Sequence, residues 1–375
     1  MIYKFGDIAN NVTEKRSPKP EDSQNYIGLE HLDSGSLYVN RYGIDVELKG
    51  DKLIMHKGDV LLGKRNAYLR RAAIAPHDGL FSAHGMILRP KDVIASEFFP
   101  FFIASDKFFD DVIRISVGGL SPTVNWKDLK ELEFDLPSLA EQKVLAEKLW
   151  AAYEVKQSYL KMIEATEEMV KSQFIEMFGK VDSDRLLLSD IADVSSGLTK
   201  NSQRVSFELK MPYLRVANVF YNKLELDDIQ EIGVRPQEIE KTKLQENDLL
   251  FVEGNGSPQE IGRVAIWDGS INPILHQNHI IKARLKISSF SPAFLMYFFM
   301  YGQGRSQIVR KAASSSGLYT LSLNKIASLQ VPAVELEFQQ QFVSIAHQAD
   351  KSISELRKSI DAIKKVIKSL INENL

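Results

Sequence analysis

Two stretches of this chain concentrate side chains suited to hydrogen-bonding recognition. The first is Gly63-Lys64-Arg65-Asn66-Ala67-Tyr68-Leu69-Arg70-Arg71, which sets cations beside an amide and an aromatic ring directly after a strand-like apolar run. Arginine can grip guanine through two hydrogen bonds, and asparagine can do the same for adenine, so these residue types fit the reading of base edges. The second is Glu253-Gly254-Asn255-Gly256-Ser257-Pro258-Gln259, followed by Arg263. It carries little charge but offers amides and hydroxyls on a glycine-rich backbone, consistent with the same task. Lys15, Arg16, Lys19, Arg204, Arg305, Arg310 and Lys311, with Ser314, Ser315 and Ser316, are candidates for phosphate contacts. Such contacts position a duplex without specifying its sequence. The expected contact residues in the first half are Lys15, Arg16, Lys64, Arg65, Asn66, Tyr68, Arg70, Arg71 and Ser121. In the second half they are Arg204, Arg215, Asn218, Asn255, Ser257, Gln259, Arg305, Arg310, Lys311 and Ser315.

Other chemistries are poorly represented. The 375 residues contain no cysteine, which excludes disulfides, thiolate zinc sites and a cysteine nucleophile and fits a reducing cytoplasm. The seven histidines show no metal-ligand spacing, and His276 with His279 is a pair without further partners. No Walker loop is present. The N-terminus has no signal pattern, and the greasiest run, residues 294–300, is far too short to span a bilayer. The net charge of -2 argues by itself against a nucleic-acid partner, but charge is sorted by region. Residues 57–71 hold Lys57, Lys64, Arg65, Arg70 and Arg71 against Asp59 alone, whereas Glu164, Glu167, Glu168 and Glu176 crowd a later helical stretch.

The elements that must position these residues occur twice. Asp7-Ile8-Ala9 recurs as Asp190-Ile191-Ala192, Tyr26-Ile27 as Tyr213-Leu214, and Asp59-Val60-Leu61-Leu62 as Asp248-Leu249-Leu250-Phe251. Phe98-Phe99 recurs as Phe294-Leu295, Gly118-Gly119-Leu120 as Ser315-Ser316-Gly317, and Leu136-Pro137 as Val331-Pro332. The order is kept throughout, and the period is half the chain, so this is a duplicated domain and not a solenoid. Each half reads as short β-like runs, one apolar helix near 96–110 or 291–303, and then a long helix. The first long helix carries an apolar stripe through Leu145, Leu149, Ile163 and Val170, interrupted by Lys156 and Thr166. The second has a heptad seam through Phe342, Ile353, Leu356, Ile360, Ile363 and Ile367, the pattern of a coiled coil. At about 1.5 Å per residue each helix would be roughly 58 Å long, and antiparallel pairing would let each bury its seam on the other.

Leu136-Pro137-Ser138-Leu139-Ala140-Glu141-Gln142, with Leu145 and Leu149 after it, resembles the start of the conserved helical region in specificity subunits of Type I restriction-modification systems. Residues 118–126 resemble the motif just upstream, and residues 173–179 resemble the helix end before the second domain. The second copy departs from the pattern by two extra residues and by Phe338 where the first has Glu141. The resemblance implies an α+β fold with an internal pseudo-twofold repeat: recognition domains at 1–138 and 179–334, and antiparallel coiled-coil helices at 139–178 and 335–375. It also implies double-stranded DNA, two methyltransferase subunits and restriction subunits as partners, with no membrane. Each domain would read one half of a split site and the helices would set the unread spacer. The chain itself would do no chemistry, S-adenosylmethionine and ATP with Mg belonging to its partners. Two other readings compete. A single-chain methylating or restricting enzyme would need an Asn/Asp-Pro-Pro-aromatic motif, and the nearest string, Asn272-Pro273-Ile274-Leu275, lacks the second proline and the aromatic. The other is a coiled-coil scaffold with no DNA role.

Overall fold

The structure, a computed structural model, describes residues 1–43, 47–181, 183–315 and 317–375, with the backbone alone at 313–315. It divides into two compact units, Met1–Lys161 with Leu356–Leu375, and Met162–Glu355. In the first, strands β1 (Ala9–Val12), β2 (Lys15–Arg16), β3 (Lys52–Met55), β4 (Val60–Leu62), β5 (Ala72–Ile74), β6 (Gly79–Phe81) and β7 (Met86–Pro90) make two antiparallel sheets, ordered β1-β7-β4-β5 and β2-β3-β6. Helices α1 (Phe99–Ile103), α2 (Asp106–Ile115) and the start of α3 (Leu139–Phe178) complete it.

The second unit repeats this plan. Its strands include β8 (Ala192–Ser196), β9 (Lys210–Leu214), β10 (Gln230–Gly233), β11 (Leu249–Val252), β12 (Gly254–Asn255), β13 (Val264–Ile266), β14 (Leu275–His276), β15 (Ile280–Leu285), β16 (Ala313–Ser315) and β17 (Leu318–Thr320). They form sheets ordered β8-β15-β11-β13, β10-β9-β14 and β12-β17-β16. Helices α4 (Pro292–Met300) and α5 (Gly302–Lys311) follow, and α6 (Leu336–Asn372) ends the chain.

The central strands explain why their sequences are apolar without a break. Val60 and Leu62 enter the phenylalanine-rich core beneath the helices, while Leu61 enters a second core between the sheets. Leu249 and Phe251 divide from Leu250 and Val252 in the same way. A strand covered on both faces loses the alternation that marks a half-buried one. Each central strand is preceded by a buried aspartate that holds an arginine of the neighbouring strand: Asp59 with Arg89, 2.6 Å, and Asp248 with Arg284, 2.7 Å. The apolar helix expected once per half is two helices in each. Ser105 ends the first break by accepting a hydrogen bond from the Phe108 N–H, and Gly302 makes the second with a left-handed φ of 53°.

The long helices start on one buried glutamine each. Gln142 Oε1 accepts the Ala95 N–H at 2.8 Å, and its Nε2 donates to the carbonyls of Val93 and Pro137. Gln339 does the same with the Ser291 N–H and the carbonyls of Ser289 and Val334. This equivalence corrects the register read from the sequence. The first residues of the domains pair with the strands before the helices, Ile2 opposite Asp135 and Arg185 opposite Pro332. Pro332 therefore matches Asp135, not Pro137, and no residues are inserted in the second copy.

In the first unit Leu145, Leu149 and Tyr153 of α3 share a core with Ile367, Leu370 and Ile371 of α6. In the second, Phe174 and Phe178 of α3 meet Phe342 of α6, with ring centroids 5.1 and 5.8 Å apart. The start of one helix thus lies beside the end of the other, which is an antiparallel arrangement. Leu145, Leu149, Ile163, Val170, Phe342, Ile353 and Ile360 are buried, and Leu356, Ile363 and Ile367 are half-buried. The seams are thus continuous with the domain cores at their ends. Lys156, read as an interruption, is buried as well: its ammonium lies 4.9 Å from the Tyr153 ring centroid and donates to the Gly35 carbonyl. Gly179 directly follows α3, at a position where a Cβ would lie 2.5 Å from the Ile175 carbonyl oxygen. Among the described residues no helix is long and apolar enough to cross a membrane.

Replacing either glutamine by leucine removes the partner of one backbone N–H and two backbone carbonyls, buried or partly buried. At about 1–3 kcal/mol per unpaired group, Gln142→Leu and Gln339→Leu should each destabilise by roughly 3 kcal/mol or more in urea unfolding. Glu141→Ala, which removes only an exposed contact to Ser138, should lose about 1 kcal/mol or less.

Candidate nucleic-acid interface

In the first domain β4 delivers the chain into the cationic stretch. Lys64 O accepts the Val124 N–H, Arg65 bridges Thr123, and the Asn66 N–H donates to Pro122 O at 2.7 Å. The stretch is thereby stitched to the loop at 117–123. Asn66 and Arg70 flank a turn of 3-10 helix, Ala67–Leu69, with left-handed φ values of 55° and 47°. Arg65 and Tyr68 project from it exposed, and Arg65 Nη2 reaches Ser121 Oγ at 3.3 Å. Leu120, at the tip of the loop, is fully exposed. Lys64 is half-buried, and burial, reinforced by the nearby charge of Lys15, pulls its ammonium below the usual lysine range. Two ammonium groups held near each other suit an external anion. Arg71 is half-buried, and its carbonyl accepts the Gly63 N–H at 2.9 Å, next to Lys64. The Asn66 amide oxygen is buried and has no hydrogen-bond partner among the described residues.

Other expected contacts are turned inward. Arg70 bonds Asp106 and Asp110, both at 2.5 Å, so it braces the turn against α2. Arg16 is held by both oxygens of Asp22. Arg215 is paired with Asp228 at 2.5 Å. Arg204 is buried, with its guanidinium on Glu238 and on the carbonyls of Thr199 and Gly233. Asn218 is buried and bonds the Arg215 N–H and the carbonyls of Glu225 and Asp228. The polar groups of these side chains hydrogen-bond within their own domain.

Arg305 is also engaged within its domain. It donates to the carbonyls of Pro258, Gln259 and Ile261 at 2.9, 2.9 and 2.5 Å, and lies 5.5 Å over the Tyr221 ring. Tyr221 in turn donates its hydroxyl to Gln259 O at 2.7 Å. Burial, only partly offset by Tyr221 and Glu260, pulls the Arg305 guanidinium below its ordinary value. Arg305 and Tyr221 are the frame of the second recognition stretch, and the sequence spacing carries no signal of it. Within that stretch Asn255 Oδ1 accepts the Ser257 N–H, and Ser257 Oγ meets Gln259 Oε1 at 2.8 Å, with Gln259 exposed. Arg310 is exposed, and Lys311 donates to Ser328 Oγ. Ser315 sits on β16, where only the backbone is described, and Ser316 lies outside the described residues.

Among the described residues no three His, Cys, Asp or Glu gather for a metal. His276 is fully buried, and His279 Nδ1 lies 2.8 Å from Glu253 Oε2.

The family model described as Type I restriction modification DNA specificity domain matches residues 1–163 and 181–365. The chain is 24% identical over 314 residues to the Type I restriction enzyme EcoKI specificity subunit of Escherichia coli, a match covering 76% of this chain and 65% of that protein. It is 24% identical over 193 residues to the putative type I restriction enzyme MjaX specificity subunit of Methanocaldococcus jannaschii, covering 50% of this chain and 44% of the other. The chain thus spans less than two thirds of the length of these relatives. A crystal structure of the Type-I restriction-modification system S subunit from M. genitalium shares the fold, with a TM-score of 0.57 at 14% identity, covering 99% of this chain and 94% of that one.

Three outcomes follow from this geometry. Lys64→Ala and Arg65→Ala should weaken duplex binding. For each phosphate that the variant no longer neutralises, the log-log salt slope should fall by about 0.9, measured by fluorescence anisotropy across a salt series. Arg204→Ala should instead lower unfolding stability. Burial, aided by Lys282, pushes the His276 imidazole down from 6.5 to about 4. The unfolded chain therefore takes up this proton near pH 6.5 and the folded domain only near 4, so stability falls as pH drops through that window. Urea unfolding at pH 7 and 5 should show the loss, and His276→Gln should flatten it.

Proposed function

Because the chain belongs to the Type I restriction modification DNA specificity domain family, we propose that it is the sequence-reading subunit of such a system, each domain recognising one half of a split DNA site. The observation that carries this reading is a duplicated frame with unlike exposed chemistry. The two domains repeat the same buried glutamine and the same buried aspartate–arginine pair. At the same place in the chain path, one presents Lys64, Arg65 and Tyr68 and the other Asn255, Ser257 and Gln259. Repeated scaffolds with different edges suit the reading of two different short sequences.

Cationic groups such as Lys15, Lys64 and Arg71 supply backbone attraction, and Arg65 is a candidate for guanine. Exposed Arg310 serves the second domain in the same way. The paired helices set the length of the unread spacer and carry two methyltransferase subunits, to which restriction subunits join. S-adenosylmethionine and ATP with Mg act on those partners in the cytoplasm, and this chain contributes recognition without chemistry.

Exchange of residues 1–138 for the corresponding domain of another family member tests the reading. In a cell expressing the cognate methyltransferase subunit, the methylated motif mapped by long-read sequencing should change in one half-site, with the other half-site and the spacer retained. Simultaneous change of both halves would contradict independent reading.

A further inference from the structure

The two recognition stretches can be superposed residue by residue through their backbone bonds. Lys64 O accepts the Val124 N–H at 3.0 Å, and Glu253 O accepts the Leu321 N–H at 2.8 Å. Each of the two carbonyls lies one or two residues past a central strand that follows a buried aspartate, Asp59 or Asp248. Lys64 and Glu253 are therefore the same position, carrying opposite charge. In the first domain this position holds a cation near a second cation. In the second it holds a carboxylate, which phosphates repel.

The carboxylate is held in place. The Glu253 N–H donates to His279 O at 2.9 Å, and His279 Nδ1 donates to Glu253 Oε2 at 2.8 Å. The other oxygen, Oε1, has no hydrogen-bond partner among the described residues, and the side chain is partly exposed, at 29%. No lysine or arginine among the described residues pairs with it. The next residues along the chain, Asn255, Ser257 and Gln259, carry neutral hydrogen-bonding groups on a loop anchored by Arg305 and Tyr221. A carboxylate can only accept hydrogen bonds. On a duplex, the donors it can meet in the major groove are exocyclic amino groups, cytosine N4 and adenine N6. Adenine places the N7 acceptor beside its amino group, which a second carboxylate oxygen opposes, so cytosine is the better match.

We infer that Glu253 is a specificity-determining residue of the second domain, accepting a hydrogen bond from the N4 amino group of a cytosine, with His279 as its positioning residue. The inference rests on the proposed reading of a split DNA site. It explains how a domain with few cations at its recognition stretch discriminates bases: the carboxylate is repelled from the duplex unless a donor faces it, so the wrong base is penalised and the right one tolerated.

The test uses the full chain in complex with its methyltransferase subunit. The motif is mapped for the wild type and for Glu253→Gln, and wild-type binding is measured on duplexes in which each half-site cytosine is replaced in turn by 2-pyrimidinone, which lacks the amino group. The inference expects one cytosine of the second half-site to become degenerate, or to give way to adenine, in Glu253→Gln. It expects removal of that single amino group to weaken wild-type binding by about 10- to 100-fold. The base analogue needs no variant protein, so a misfolded Glu253→Gln leaves that arm decisive. A bipartite map unchanged in Glu253→Gln, or analogue duplexes bound as tightly as cytosine at every position of the second half-site, would overturn this inference and leave the general reading intact. A wild-type map without two blocks would instead overturn the general reading.

Discussion

The rest of the structure depends on one buried side chain used twice. Gln142 and Gln339 each close three backbone hydrogen bonds at the point where a domain becomes a helix, and both are essentially inaccessible to solvent. A buried amide in that position is stabilising only when all of its partners are in place, because each unpaired group carries the full cost of desolvation. The rotation of the helix about its axis is therefore fixed relative to the domain. That rotation decides which residues turn inward. With Gln142 set, Leu145, Leu149 and Tyr153 fall on the phenylalanine core, and with Gln339 set, Phe342, Ala346 and Ala349 do the same.

From that junction the frame extends through the central strand of each domain. The strand is apolar on both faces and anchored by its buried aspartate, and the candidate contact stretch leaves from its end. Among the polar groups that repeat between the domains are the buried glutamines and aspartates, whereas Lys64 and Glu253 differ past the ends of the central strands. The net charge of -2 is compatible with this division, since many arginines are neutralised within their own domain and the cations left near Lys64 are local.

The duplication, the long helices and the strands leading into the recognition stretches are legible in the sequence because they rest on local patterns: heptad spacing, uninterrupted apolar runs and repeated order. The register of the second helix start differs by two residues from the sequence reading because Val331-Pro332 imitates Leu136-Pro137, whereas the pairing of Arg185 with Pro332 is a long-range contact. The same limit explains the contact residues. Arg70 looks like its neighbour Arg65 in sequence, but only the fold brings Asp106 and Asp110 against it. Arg204 is paired with Glu238, and Arg305 with carbonyls more than forty residues away. Lys156 breaks an apolar stripe in one dimension and fills it in three, through Tyr153 and the Gly35 carbonyl. Glu253 is visible in sequence only as the acidic end of a glycine-rich segment; its equivalence to Lys64 emerges from the matching backbone bonds.

The central claim is that two domains on one repeated frame read two separate DNA sequences. The most direct measurement is the wild-type methylation map of a cell carrying this chain and its cognate methyltransferase subunit. The account predicts a single motif made of two specified blocks with a fixed unspecified spacer between them. A continuous motif, or methylation indifferent to sequence, would contradict it.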